Sequence, residues 1–450
     1  MTSTDIPRIS HRLPPLSGLL DDTLDQALRA RRRRVMIADN PGLNLGALRV
    51  PDNTLDRLLQ SAALYGADAA RQLDARIAES GGAARDAAIF FRIALAVQTR
   101  DPALFDLAAS HAAQSARAVR DAYWFYPVPV GTFADDSSHI VALFERSAAD
   151  TGLRLLALEL AGKRDVKALR PQIEALLSEP QWTAQAHFAL SCMGAATDAT
   201  RRYVQACLSS QDSARRKIAM ELIAVEPRLA DDAMLRLALK GQSSDVDNAD
   251  AADAAWAIGA TRDPRQVYQH AAASKDLPDA LVLRIVALTG YIDGIIGACA
   301  AMAGADGPVT PAQADVLELA LGGVPVEARC EPNQRAAKAG ALRALLLRVC
   351  RHNHIALRND ADLCAWDVQA ILAKPEQAAT LRLRNGLALA AGAPALGRAV
   401  TEVTHALRGW LYIERAALGQ HAFALAPLDV ARRQELAMMA AQFADDMRVR

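Results

Sequence analysis

Leu158-Glu-Leu-Ala-Gly162 opens a series of six similar apolar phrases in the stretch from Gly152 to Gly323, and this series decides the fold. The gaps between the last residues of successive phrases are 32, 30, 35, 31 and 32. A spacing this regular indicates a structural repeat. The other five phrases are Leu190-Ser-Cys-Met-Gly194, Glu221-Leu-Ile-Ala224, Ala255-Trp-Ala-Ile-Gly259, Val286-Ala-Leu-Thr-Gly290 and Leu319-Ala-Leu-Gly322.

Each repeat carries two apolar faces at helical spacing. In the first repeat, Leu153, Leu156 and Leu160 form the face before the turn, and Leu169 and Ile173 begin the face after it. Each unit is therefore predicted to be a helix, a tight turn and a second helix. Since a lone hairpin cannot bury its apolar side, stacking of the hairpins into an α-solenoid is expected.

The composition favours helices throughout the chain. Of the 450 residues, 52% are hydrophobic but only 5% are aromatic, so Ala and Leu supply most of the apolar content. The capping box Thr310-Pro-Ala-Gln313 predicts the start of the sixth hairpin. We expect an all-α protein with irregular helical ends. The predicted parts are a mobile arm at 1–17, a helical region with degenerate repeats at 18–138, the regular array at 139–323 and a C-terminal helical cap at 324–450.

Charge and cysteine content point to the compartment and the partners. Lys plus Arg equals Asp plus Glu at 51 each, so no overall field attracts nucleic acid or an anionic membrane. The six cysteines lack disulfide-framework spacing, which is typical of a reducing environment. No segment has the length and apolar character of a signal peptide or a bilayer span. A cytoplasmic protein without membrane insertion and without a nucleic-acid partner is expected.

Aromatic residues give the candidate partner-binding positions. Tyr123-Trp124-Phe125-Tyr126 is a cluster of four aromatics followed by Pro127, and such side chains dominate binding hot spots. They also plug the ends of cores, so a partner-facing patch and a buried junction are equally supported. The second helices of the repeats are expected to line a continuous groove, marked by Tyr203, Met234, Tyr268 and Ile296.

Two polar clusters have competing interpretations. The run Arg31 to Arg34 could contact phosphates, but a solvated helix end paired with Asp21, Asp22 or Asp25 is favoured.

Cys350, His352, His354 and Cys364 have the ligand types of a zinc site, but their spacing matches no familiar ligand knuckle. A helix end with core cysteines is therefore favoured, and no metal or other cofactor is expected. The Gly-x-Ser-x-Gly, phosphate-loop, dinucleotide and His-Glu-x-x-His motifs are absent, so we expect no enzyme activity.

The array resembles short HEAT-type repeats. The wider layout is similar to a family of bacterial HEAT-repeat proteins encoded in type VI secretion gene clusters. The resembling segments are a helix near 18–36, Leu73-Asp-Ala-Arg-Ile77 after Thr54-Leu-Asp-Arg-Leu58, the array, Gly409-Trp-Leu-Tyr-Ile-Glu-Arg415 and the tail at Phe423 and Leu425. The resemblance implies an accessory factor of the secretion apparatus and carries over no catalytic residues.

The leading hypothesis is a non-enzymatic scaffold or adaptor that binds another protein, such as a secretion-apparatus component or an effector. The alternative is an enzyme or nucleic-acid-binding protein built on HEAT-like repeats, of glycosylase or lyase type. A basic groove with exposed Trp256 or Trp366 would favour nucleic acid. A homo-oligomer stays open as a third arrangement.

Overall fold

In the computed structural model of the chain, most of the described residues lie in helices, as the composition predicts. The structure describes residues 17–40, 43–125, 137–231, 234, 249–274, 277–329, 335–358, 365–389, 403–419, 431 and 434–437. The chain divides into two compact units. Unit 1 comprises Met1–Asn40, Ala47–Leu169 and Leu428–Arg433, and unit 2 comprises Pro41–Gly46, Arg170–Pro427 and Gln434–Arg450, so far as these ranges are described.

The helices of the first part of the chain are α1 (Ser17–Ala38), α2 (Leu45–Tyr65), α3 (Ala67–Glu79), α4 (Gly82–Thr99), α5 (Leu104–Trp124), α6 (Ser138–Arg146) and α7 (Thr151–Lys163). Short 3₁₀ turns follow at Ser147–Ala149 and Lys167–Leu169. Helix α4 is the centre of unit 1 and packs against α1, α3 and α5. Every residue from Ala87 to Val97 is buried, because helix α4 itself carries Ala and other apolar side chains on all of its faces.

Unit 2 continues with α8 (Arg170–Ala175), α9 (Thr183–Cys192), α10 (Asp198–Leu208), α11 (Ser213–Val225), α12 (Ala249–Arg262), α13 (Pro264–Ala273), α14 (Asp279–Thr289), α15 (Ile292–Gly304) and α16 (Pro311–Val316). A π-helical turn at Leu317–Leu321 extends α16. The last helices are α17 (Arg335–His352), α18 (Val368–Ile371) and α19 (His405–Gly419). Further 3₁₀ turns lie at Leu176–Ser178, Pro227–Leu229, Val326–Arg329 and Pro375–Ala379.

The helices that precede the repeat turns pack in sequence. Helix α9 contacts α11, α11 contacts α12, α12 contacts α14, and α14 contacts α16. The C-terminal helix α19 lies on α12 and α11 and buries Leu407, Trp410, Leu411 and Tyr412. This layer is therefore covered on one side by a later part of the same unit.

Polar caps fix where several of these helices begin. The predicted capping box is confirmed: Thr310 Oγ1 accepts from the Gln313 amide at 3.3 Å, and the Thr310 amide donates to Gln313 Oε1 at 2.8 Å. Asp212 and Asp263 each accept from a backbone amide in the first turn of α11 and α13. These bonds satisfy amides that the helix itself leaves unpaired.

A short β-hairpin closes the ends of two repeat turns. Strands β1 (Leu383–Arg384) and β2 (Leu387–Ala388) pair in antiparallel register. The Leu383 amide donates to the Gly290 carbonyl at 2.7 Å, and the Gly386 amide donates to the Ala320 carbonyl at 3.0 Å. The hairpin thus supplies donors to helix ends whose carbonyls lack partners within the helix.

No helix in the described part of the chain combines the length and apolar character needed to cross a bilayer. The division between the units falls between Leu169 and Arg170, inside the predicted array. The boundaries at 138/139 and 323/324 mark the extent of the repeats and stay predictions.

Candidate protein-binding residues

The aromatic cluster at the end of α5 is largely interior. Tyr123 is 1% exposed and stacks on His139 with ring centroids 6.1 Å apart. Phe125 is 4% exposed and meets Phe90 edge to face at 5.6 Å. Burial raises the pKa of the Tyr123 hydroxyl far above its ordinary value. Neither ring can reach a partner unless unit 1 opens.

Trp124 is the partly exposed member of the cluster. The Lys163 ammonium lies 5.0 Å from its ring centroid, and Arg164 donates from Nη2 to its backbone carbonyl at 2.5 Å. Its indole N–H is buried without a hydrogen-bond partner in the described structure. Tyr126 lies outside the described residues. Among the three described members of this cluster, Trp124 is thus the aromatic that a partner could contact directly.

The arginine run of α1 does not form a solvated end as expected. Arg31 donates to Asp121 at 2.5 Å and lies over the Phe90 ring at 4.2 Å, and Arg34 donates to Asp52 at 2.5 Å. Arg31 and Arg34 are buried, because positions three apart share the helix face that turns inward.

The predicted acidic partners of this run pair elsewhere. Asp21 and Asp25 bind Arg76 of α3 instead. Only Arg33 and Arg32 of the run are exposed, so the run presents half of its charge to solvent.

Tyr203 lies on α10 beside a buried histidine. Its ring stacks on His187 at 4.5 Å, and the His187 Nδ1 is 3.1 Å from the Thr200 hydroxyl. Burial lowers the pKa of His187 and, together with Cys207, raises the pKa of Tyr203 to about 12. Both groups are therefore neutral near pH 7. Tyr203 is half-buried, so this uncharged aromatic pair is partly exposed.

Two of the four groove positions are interior. Met234 is buried in the core formed with Val204 and Leu229, and Ile296 is buried in the neighbouring core. Tyr203 and Tyr268 are only partly buried. Because successive residues of a helix point in different directions, the spacing of these four positions did not reveal which side each one takes.

Tyr268, on α13, belongs to a mixed aromatic and charged cluster. Its ring lies 5.3 Å from that of Tyr291, and the Arg265 guanidinium is 5.0 Å from the Tyr291 centroid. Burial and then the negative charge of the nearby Asp293 raise the pKa of Tyr268 to about 12. Gly294 leaves room for the ring, since a Cβ there would lie 2.7 Å from Tyr268 Cε2.

Three members of this cluster were absent from the sequence prediction, namely Arg265, Tyr291 and Arg382. Arg265 is three residues before Tyr268, so the two share a face of α13, which a helical projection would have indicated. Arg382 comes from the extended segment that pairs with Tyr291. That long-range pairing leaves no local signal in the sequence.

The Cys350 region has the arrangement of a helix end. Cys350 is buried within the core, and burial raises the pKa of its thiol to about 11. His352 and His354 are exposed, and Cys364 lies outside the described residues. Among the described side chains, no group of three or more His, Cys, Asp and Glu is placed to hold a metal ion. A protonated, buried thiol is a poor ligand and a poor nucleophile.

The fold defines an all-α protein with sequentially packed helices in unit 2. Comparison of the chain with protein-family models, curated proteins and solved structures finds no match.

Proposed function

We propose that the chain is a non-enzymatic scaffold or adaptor that binds another protein, and that unit 2 is an α-solenoid of HEAT-like hairpins. The observation that carries the proposal is the sequential packing of α9, α11, α12, α14 and α16. In a solenoid each repeat contacts its neighbours along one layer. The order of contacts between these five helices fits that arrangement. The repeat period of about 31 residues in the sequence supports the same architecture.

The partner is proposed to contact the second helices of the hairpins. Helix α19 already covers part of the first-helix layer at α11 and α12. On the second helices, Tyr203 and Tyr268 are partly buried aromatic rings held by neighbouring side chains. Rigid, half-exposed tyrosines lose little conformational entropy on binding and suit a protein interface.

Type VI secretion is the proposed setting, on the resemblance of the chain to the bacterial HEAT-repeat family of those gene clusters. The cytoplasm is the proposed compartment, because Cys207, Cys299 and Cys350 are buried free thiols, as in proteins of a reducing environment.

Affinity co-purification of the tagged chain from its own host tests the proposal, with quantitative mass spectrometry and metal analysis of the same eluate. We expect one protein in near-stoichiometric amount, drawn from the secretion apparatus or its effectors, and no metal. Recovery of the chain alone with a bound metal or small molecule would contradict the scaffold function.

Neither tryptophan that would favour the nucleic-acid alternative is fully exposed. Trp256 is 2% exposed, and Trp366 is half-buried beneath the Arg343 guanidinium, 4.5 Å from its ring centroid. Bases need an open ring on which to stack. Binding of single-stranded DNA or RNA to the chain at low salt, where phosphate contacts are strongest, would revive this alternative.

A further inference from the structure

Two arginines from distant parts of unit 2 face the same tyrosine ring. Arg265 of α13 lies 5.0 Å from the Tyr291 centroid, and Arg382 lies 5.6 Å from it. Arg265 also lies 5.7 Å from the ring of Tyr268. The backbone pairing of Tyr291 with Arg382, together with the 3.1 Å bond from the Ile292 amide to the Leu381 carbonyl, holds the second arginine here. The juxtaposition is therefore built into the fold.

Both guanidinium groups have unused donors. Arg265 makes no hydrogen bond to any described residue, and its single ionic contact is Nη1 to Asp293 Oδ2 at 3.7 Å. Arg382 donates from Nε to the Thr289 carbonyl at 2.5 Å, and its terminal nitrogens have no partner among the described residues. Since a guanidinium carries five N–H donors, each arginine can accept a further ligand.

A nearby arginine has its charge paired within the fold. Arg384 donates to both carboxylate oxygens of Glu414, at 2.9 and 3.0 Å, and to the Leu288 carbonyl at 2.7 Å. Its charge is neutralised within the fold, whereas Arg265 has one ionic contact, to Asp293, and Arg382 shares Glu414 with Arg384. Among these described residues, the three arginines therefore outnumber the two carboxylates by one.

The cluster is accessible to a ligand. The Arg265 side chain is 37% exposed, and Arg382 and Tyr268 are half-buried. Burial and then the adjacent Arg384 lower the pKa of Arg382, so an anion placed beside it would relieve an unfavourable environment. An ion pair at a partly desolvated site is stronger than one in bulk water.

We propose that Arg265 and Arg382, positioned over the Tyr291 ring, bind carboxylate groups of an acidic segment in the partner protein. This inference rests on the proposed scaffold function and specifies the chemistry of its partner. The guanidinium forks donate to the carboxylate oxygens, and the ring fixes the forks through cation–π contacts.

Fluorescence anisotropy with labelled hexaglutamate, at low ionic strength near neutral pH, tests the site. We expect hexaglutamate to bind the full chain and hexaglutamine not to bind. Arg265→Gln and Arg382→Gln should each weaken binding at least about tenfold, the loss expected for a hydrogen bond to a charged group. Arg348→Gln, which removes an exposed arginine of α17, is the charge-matched control and should change affinity less than about twofold.

Fold integrity is separable from binding in this design. Arg265→Gln breaks no hydrogen bond to a described residue and removes one long ionic contact and two ring contacts, so this variant is expected to melt cooperatively and close to the wild-type protein. Arg265→Lys keeps the charge but loses the planar fork, so it should weaken binding less than Arg265→Gln does. Equal weakening by Arg348→Gln, or equal binding of hexaglutamate and hexaglutamine, would overturn the proposal.

Competition separates the two sources of an oxyanion. Glutarate should displace the labelled peptide at lower concentration than inorganic phosphate does. The reverse order would overturn the carboxylate assignment and give the site to a phosphate-bearing ligand. If the host partner co-purifies equally with wild type and Arg265→Gln, the scaffold function stands and this site is wrong. If wild type captures no partner, the scaffold function itself fails.

Discussion

Asp315 is a buried carboxyl group whose ionisation works against the fold. Its side chain is 4% exposed, Oδ2 accepts from the Thr404 hydroxyl at 2.9 Å, and Oδ1 has no hydrogen-bond partner within the described structure. Burial raises its pKa from 3.8 to about 6, against the smaller opposing effects of Thr404 and Arg284. Because the folded-state pKa is the higher one, the protonated group stabilises the fold below about pH 4, and this contribution disappears as the pH rises through 6.

Asp315→Asn removes that titration. Between pH 4 and pH 8 the free energy of unfolding of the variant, relative to wild type, should increase by about 2–3 kcal/mol, the equivalent of a two-unit shift. Urea denaturation at both pH values measures this difference. A constant difference between the two proteins would mean that Asp315 does not titrate in this range.

Gly290 is the residue on which the turn after α14 depends. Its φ is 69°, and a Cβ there would lie 2.4 Å from the Leu383 carbonyl oxygen. Gly290→Ala should therefore lower the free energy of unfolding by at least about 2 kcal/mol. Gly297→Ala is the matched control in α15, where a Cβ meets nothing within 4 Å, and should raise stability by about 0.5–1 kcal/mol. Similar effects from both changes would contradict the role of this turn.

The sequence predicted turns at the glycines that end a helix. It did not predict the direction in which individual side chains point. Gly194, Gly290 and Gly322, which close three of the repeat phrases, all have positive φ. Gly162 and Gly259 lie inside helices instead, and Asp165 takes the left-handed position after α7. Local sequence indicates that a turn occurs, but tertiary packing selects the residue that forms it.

At the scale of elements, a buried ion pair joins the β-hairpin to α19. Arg384 and Glu414 are both nearly inaccessible and are bound by two hydrogen bonds. Glu414→Gln leaves the arginine charge buried without a counterion, and we expect a loss of about 3 kcal/mol in the free energy of unfolding.

The exposed pair Arg170 and Glu174 supplies the control for this experiment. Both side chains are about half exposed, so Glu174→Gln should cost less than about 0.5 kcal/mol. Guanidinium denaturation of the two variants compares them directly. If Glu414→Gln is as mild as Glu174→Gln, the hairpin is not anchored to α19 through this pair.

Long, periodic helices were predictable, but two elements were not. Asp52-Asn53-Thr54 has the composition of a helix cap, yet α2 runs from Leu45 through Pro51 without a break there. Asp52 instead accepts bonds from Arg34 and from the Ala431 amide, far away in the sequence. The hairpin at Leu383–Ala388 is equally invisible locally, because its strands have two residues each and depend on the helix ends they cap.

At the scale of the whole molecule, the all-α class followed from composition and period. The solenoid and the secretion setting remain proposals. Of the seven predicted binding residues, Trp124, Tyr203 and Tyr268 are partly exposed, Tyr123, Phe125 and Met234 are buried, and Tyr126 lies outside the described residues. A helical repeat predicts which helices stack. The exposure of a side chain depends instead on contacts between residues that are far apart in the sequence. Arg382 beside Tyr291 is such a contact.

Quantitative co-purification of the double variant Tyr203→Ala/Tyr268→Ala from the native host tests the central claim most directly. The wild-type chain and the Arg348→Gln variant are the controls. Loss of two interface tyrosines should reduce recovery of the partner at least about tenfold, while Arg348→Gln should leave it unchanged and all three chains should melt cooperatively. Undiminished recovery with a folded double variant would contradict binding through the second helices of the repeats.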